Sequence, residues 1–296
     1  MHIRTLLLLA LVAVTPQACA PKAKEVRPNH PLPQGLDTSR AEPGRRGGVF
    51  IDSTPGEPST FNPLVSEDAT SSGFIGLFLD SLVHNNPVTQ EVEPGLASRW
   101  EIAPDNKTFT FHLRPGVRWS DGHPFTADDV VFTFQAIYDP RFPNRAAFDL
   151  SVDGKKFSIE KVDDFTVRLS TPEIYAPFLE TVGGVGLLPK HELEPAFRDG
   201  SLLKAWNVSI AQKEPRRLLA TGAFRLRSYQ PAERIVFEAN PHYWRADAQG
   251  VRLPYVDFLV TKLVKDANAS TLAFATGQTD AEGLSPDNVA WIDRYA

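Results

Sequence analysis

The chain has 296 residues, of which 42% are hydrophobic and 23% charged, and a formal net charge of −5. That length allows one large domain or two lobes around a sizeable core, and the composition excludes extensive disorder. The mild negative balance, with no lysine or arginine run in the body, excludes a surface that tracks nucleic-acid phosphates.

His2 and Arg4 precede an unbroken apolar run from Leu6 to Val14, followed by Thr15, Pro16, Gln17, Ala18 and Cys19. This order is that of an export signal over residues 1–18. The run is far shorter than the roughly 20 residues a helix needs to cross a bilayer, so cleavage is expected rather than a permanent span. Cys19 is the only cysteine, which excludes a disulfide within the chain. A small residue followed by Cys predicts cleavage and lipidation at Cys19, although Pro16 stands where such a lipobox usually has Leu. The alternative is ordinary cleavage after Ala20. Residues 19–46 then carry Pro21, Pro28, Pro31, Pro33 and Pro43 without hydrophobic periodicity, a composition that reads as an extended, solvated tether.

From Gly47 the pattern turns to mixed α and β. Gly48 to Asp52 reads as an opening strand, and Ser71 to Val83 as a helix with Phe74, Phe78, Leu79 and Leu82 at helical spacing. Thr108 to Arg114 alternates strictly, with Phe109, Phe111 and Leu113 on one face. Trp119-Ser120-Asp121-Gly122 predicts a tight turn, and Thr126 followed by Asp128 and Asp129 predicts the start of a helix running to about Tyr138. Further strands are expected at Phe157 to Val162, Thr166 to Leu169, Ala223 to Arg227, Ile235 to Glu238 and Val256 to Val264. A helix from Asp266 to Thr276 is closed by Gly277.

Catalytic and metal chemistry find little support. The seven histidines form no His-x-His or His-x-x-x-His pair, and the body has no cysteine, so no metal site and no cofactor are expected. A Gly-x-Ser-x-Gly elbow is absent, and Gly183-Gly184-Val185-Gly186 lacks the spacing of a phosphate cradle, which leaves close packing as its reading. Asp121, Asp128 and Asp129 have turn and helix-start duties that account for them. His123, after the Asp-Gly turn, reads as solvated.

The stretch Gly95 to Phe134, GLASRWEIAPDNKTFTFHLRPGVRWSDGHPFTADDVVFTF, closely resembles the signature of family 5 solute-binding proteins, the peptide, dipeptide, oligopeptide and nickel-complex receptors of ABC importers. Phe61-Asn62-Pro63, Leu188-Pro189-Lys190-His191, Thr221-Gly222-Ala223-Phe224, Asn240-Pro241-His242-Tyr243-Trp244 and Gly277 to Asp280 follow in the family's order, so the resemblance runs from about Gly48 to the end. It implies an α/β, bilobal fold of the periplasmic-binding-protein type II, with a discontinuous first lobe. Residues 47–85 and 215–265 would form the first-lobe core, 86–214 an inserted subdomain, and 266–296 the start of a second lobe that is mostly missing. The same resemblance implies a non-enzymatic, lipid-anchored receptor, monomeric, in the periplasm or on the outer face of the cell membrane. It would capture a peptide or other small polar solute and hand it to a membrane permease.

Two first-lobe segments inherit ligand contacts by this resemblance: Glu67, Asp68 and Ala69 after the Phe61-Asn62-Pro63 loop, and Ala146 after Asp139-Pro140, where relatives place an aromatic side chain. The signature turn itself reads as scaffold. Other readings are a receptor for an oligosaccharide, favoured by tryptophans on the cleft wall, or for a nickel complex. From other classes come a secreted hydrolase using Glu67 or Asp68, and an adhesin or scaffold.

Overall fold

The structure, a computed structural model, describes residues 30–33, 38–39, 43–86 and 88–283. The export signal expected over 1–18, the lipidation expected at Cys19 and residues 284–296 lie outside the described residues.

Two pieces of the Pro-rich segment rest on the body. Arg252 donates from Nη2 to the carbonyl oxygens of His30 at 2.8 Å and Pro31 at 2.9 Å. Strand β1 (Thr38–Ser39) pairs in parallel with Ala246–Asp247. A two-residue pairing leaves no periodicity in a sequence, which is why composition alone reads the segment as free.

Strand β2 (Val49–Thr54) leads into helix α1 (Ala69–Phe78), which is N-capped by Asp68 through a 2.7 Å bond from the Ser71 amide. The helix stops at Phe78 instead of continuing to Val83. Its last carbonyl, on Phe78, accepts the amides of Thr221 and Gly222 at 3.0 and 2.9 Å, and the Asp80 amide turns to the Thr221 hydroxyl. A distant loop thus supplies the partners that a further helical turn would have supplied. The freed residues enter strand β3 (Val83–Asn85), which forms a short ladder with β4 (Val92–Pro94).

Strands β5 (Ala97–Ile102) and β6 (Thr108–Leu113) follow. The alternation in β6 holds: Phe109, Phe111 and Leu113 are buried while Thr108, Thr110 and His112 are only partly covered. Helix α2 (Ala127–Tyr138) ends where the apolar pattern predicts, and begins with a capping box between Thr126 and Asp129. Helix α3 (Ala146–Asp149) is a single turn, followed by the minor strands β7 (Ser151–Val152) and β8 (Lys155–Lys156). Strands β9 (Ser158–Asp163) and β10 (Thr166–Ser170) complete an antiparallel sheet of order β5-β6-β10-β9. Helix α4 (Phe178–Gly183) caps it, with Phe178 stacked on Phe109 at 4.0 Å between ring centroids. Gly183 and Gly186 are packing glycines, as expected. A Cβ on either would lie 3.1 Å from the Val83 carbonyl oxygen or 3.3 Å from Leu79.

Helices α5 (Lys190–Asp199) and α6 (Val208–Lys213) cross to strands β11 (Phe224–Gln230), β12 (Arg234–Ala239), β13 (Ala246–Asp247) and β14 (Phe258–Leu263). The second sheet has the order β11-β12-β14-β2, antiparallel except for the parallel β14–β2 pair. Parallel pairing of β2 with a strand some two hundred positions later is what draws the beginning of the described body and its far end into one layer. Helix α7 (Ala267–Ala275) follows β14, N-capped by Asp266, with Gly277 at a φ of +69° just beyond it. One face of this sheet joins α1 in a cluster of buried side chains that also includes the apolar face of β6. On the other face Val236, Phe258 and Val260 form a small separate cluster with Val49 and Ile51.

Candidate functional site

The signature turn is built as a structural hub. Trp119 is fully buried, its amide bonds the His123 carbonyl at 2.8 Å, and Gly122 closes the turn with a φ of +93°. Asp129, 3% exposed, accepts three donors: the Thr126 amide at 3.0 Å, the Lys190 amide at 2.9 Å and the Trp119 indole N–H at 3.3 Å. Burial pushes its pKa up, against those bonds, which pull it down. One carboxylate therefore ties together the turn, α2 and the start of α5. Asp121 accepts the His123 amide at 2.9 Å and pairs with His191 at 2.9 Å, and Asp128 pairs with Lys161 at 2.8 Å. All three aspartates have the structural partners expected of them. His123 is exposed, but it stacks on His191 at 3.9 Å.

A different chemistry lies where β2, β14 and the start of α1 meet. Parallel register sets Asp52 opposite Thr261, whose hydroxyl pulls the Asp52 pKa down against burial. The floor of a groove of about 390 Å³ includes Asp52, Thr54 and Thr261, and Ala69, Thr70 and Gly73 of α1 form its wall. Burial raises the pKa of Asp52, and its Oδ1 is buried with no hydrogen-bond partner among the described residues. A desolvated carboxylate oxygen left without a donor is costly to the folded chain.

Of the residues singled out from sequence, Ala69 is in this groove as the exposed first residue of α1. Glu67, two positions earlier, is exposed, with no hydrogen bond or ion pair among the described residues. Asp68 is occupied: it caps α1 and accepts the Ser59 and Ser71 hydroxyls at 2.6 and 2.7 Å. Those bonds hold its carboxyl below the ordinary carboxylate range. Ala146 does not line this groove. It begins α3 and packs, half-buried, on the core. Close by, Phe148, Ser151, Tyr175 and Thr181 line a second cavity of about 570 Å³, and Phe148 is 80% exposed.

Asp52, Thr70 and Phe148 escaped the sequence reading. Asp52 lies within an unremarkable strand, and only the ladder with β14 shows that it stands beside a groove. Phe148 is more legible in retrospect, being an aromatic two positions from Ala146. Among the described residues no cluster of three or more His, Cys, Asp or Glu side chains is placed to hold a metal ion.

A two-sheet α/β body with a parallel strand pair beside an open groove is the architecture of a bacterial extracellular solute-binding protein. Residues 91–294 match the family described as bacterial extracellular solute-binding proteins, family 5 Middle, and the chain belongs to that family. It is 31% identical to a probable ABC transporter-binding protein of Deinococcus radiodurans over 82% of this chain and 41% of that one. It is 30% identical to the periplasmic oligopeptide-binding protein OppA of Haemophilus influenzae over 80% of this chain and 44% of the relative. Among solved structures, the periplasmic binding protein MelB of Agrobacterium fabrum, in complex with stachyose, superposes with a TM-score of 0.73. That match has 26% identity and covers 86% of this chain and 40% of MelB. The chain thus spans less than half the length of the curated relatives it matches.

Proposed function

We propose that this chain belongs to an extracytoplasmic receptor of an ABC importer that captures peptides or peptide-like solutes without chemically altering them. The observation that carries the reading is the groove lined by Asp52, a carboxylate suited to an N–H donor or an ammonium group. Residues 47–85 and 215–265 make up the first-lobe core and 86–214 the inserted subdomain, a division favoured by the β2–β14 pairing. Glu67, Asp68, Ala69 and Ala146 belong to the solute-facing surface, Glu67 through its free carboxylate and Asp68 by fixing the start of α1. The receptor is a monomer, anchored through acylated Cys19 at the periplasmic or outer face of the membrane. Its second lobe closes over the groove when solute binds.

An oligosaccharide receptor is the second reading, since MelB carries stachyose. Sugars are commonly stacked on exposed indoles, yet Trp119, Trp206 and Trp244 are buried and none of the described tryptophans lines the groove. The binding of peptides is therefore preferred. A hydrolase built on Asp68 is disfavoured because that carboxylate already serves three donors from Ser59 and Ser71.

Native mass spectrometry of the full chain, purified without denaturation, tests the proposal. A retained peptide, released on unfolding and reduced at least tenfold in occupancy by Asp52→Asn, is the expected result. Retention of a saccharide, or of no solute at all, would overturn it.

A further inference from the structure

A third cavity, of about 550 Å³, lies beside the signature turn, between the docked start of the tether and the body. It is lined by His30, Pro33, Pro115, Arg118 and His242. The two imidazoles stack at 4.0 Å between centroids with their planes 27° apart. Gly122 lets the turn lie close to them: a Cβ there would be 3.7 Å from His242 Nε2. The Arg118 guanidinium makes one hydrogen bond, 2.8 Å from Nη1 to the Gly122 carbonyl, and no ion pair among the described residues.

Positive charge accumulates around this cavity without a carboxylate in its lining. Arg252, buried behind it, spends its donors on the carbonyls of Tyr243, His30 and Pro31, while Arg46 bonds the Arg252 carbonyl. Burial and the neighbouring Arg46 pull the Arg252 pKa down to about 10. Burial, with His30, Arg252, Arg118 and Arg225, pulls His242 down to about 4. Cations gathered at a partly enclosed surface repel one another, and a multivalent anion is the ligand that relieves them. An anion there meets the unused N–H groups of Arg118 in a fork geometry suited to tetrahedral oxyanions.

We propose that the cavity between His30, His242 and Arg118 is a binding site for a phosphate group, carried by a small phosphorylated molecule or by a phospholipid headgroup. The site is separate from the solute groove: the two cavities share no lining residue. Its wall is partly the tether itself, so an occupied site pins residues 30–33 to the body. For a chain anchored at Cys19, that contact would set how the receptor stands on the membrane. The phosphate site does not depend on the peptide reading, and its test does not involve the solute.

The test uses the full chain with Cys19→Ser, so that no acyl group contributes. Inorganic phosphate is titrated calorimetrically against chloride at matched ionic strength, and flotation is measured with vesicles of phosphatidylglycerol in phosphatidylcholine against phosphatidylcholine alone. Binding of phosphate, weakened roughly tenfold or more by Arg118→Gln and by a smaller factor by Arg118→Lys, which keeps the charge but loses the fork, establishes a site for soluble phosphate. Binding only to the anionic vesicles, lost in Arg118→Gln, assigns the headgroup. Absence of both, or binding that Arg118→Gln leaves unchanged while the melting temperature is also unchanged, overturns the proposal. Should Arg118→Gln lower the melting temperature, His242→Phe provides the same comparison from the opposite wall.

Discussion

Asp129, buried, and Asp52, half-buried, are both carboxylates whose pKa burial drives upward, yet they have opposite meanings. Asp129 receives three protein donors and fastens the turn at Trp119 to α2 and α5. Asp52 stands opposite Thr261 in the ladder and has an Oδ1 that no described residue serves, at the floor of a groove. Burial alone therefore does not identify a functional acid. The count of satisfied lone pairs separates the two, because a desolvated oxygen without a donor stays costly until a ligand or another partner supplies one.

That contrast is open to direct attack. Asp129→Ala strands three donors at once, one buried and two partly buried, and urea unfolding is expected to show a loss of about 3 kcal/mol. A loss below about 1 kcal/mol would mean the turn is not a hub. Trp119→Phe removes only the longest of the three bonds while keeping most of the ring volume, so its cost should be near 1 kcal/mol.

Asp52→Asn should do the reverse and raise the urea midpoint slightly at neutral pH. Because the folded-state pKa of Asp52 lies above its unfolded value, the folded chain holds the proton more tightly. Stability from this group is present below the unfolded pKa and is lost as pH rises through the folded one. The variant lacks that decline, so the gap between the two proteins widens from pH 3 upward, in unfolding curves collected across the acid range. A gap that narrows instead would place a donor on Oδ1 and remove the distinction from Asp129. Smallest of all is Glu67→Ala, a change at an exposed side chain expected within about 0.5 kcal/mol of the parent while lowering solute retention.

Much of the scaffold was readable because it is written in local chemistry. The alternation of Phe109, Phe111 and Leu113 defined β6, and Thr126 with Asp129 defined the start of α2 through a box that closes within one turn. Asp121-Gly122 could only turn where it does. Reading failed where the partner is distant. Ser71 to Val83 keeps helical spacing past Phe78, but Thr221 and Gly222 claim the terminal carbonyl of α1 and bend the chain into β3. The tether looked unattached because Arg252, more than two hundred positions away, holds its carbonyls.

The candidate site divides along the same line. Resemblance pointed to Glu67, Asp68 and Ala69, of which Ala69 forms part of the groove wall. It also pointed to Ala146, whereas the exposed aromatic surface is that of Phe148 on the same short helix. By itself, the sequence determined the family, the strand and helix pattern and the aspartates that serve as caps and turns, since each depends on neighbours a few residues away. Tertiary structure alone decided that Asp52 faces a groove with an unserved oxygen and that His30 meets His242. Burial and charge at those positions arise from segments that meet only when the chain has folded.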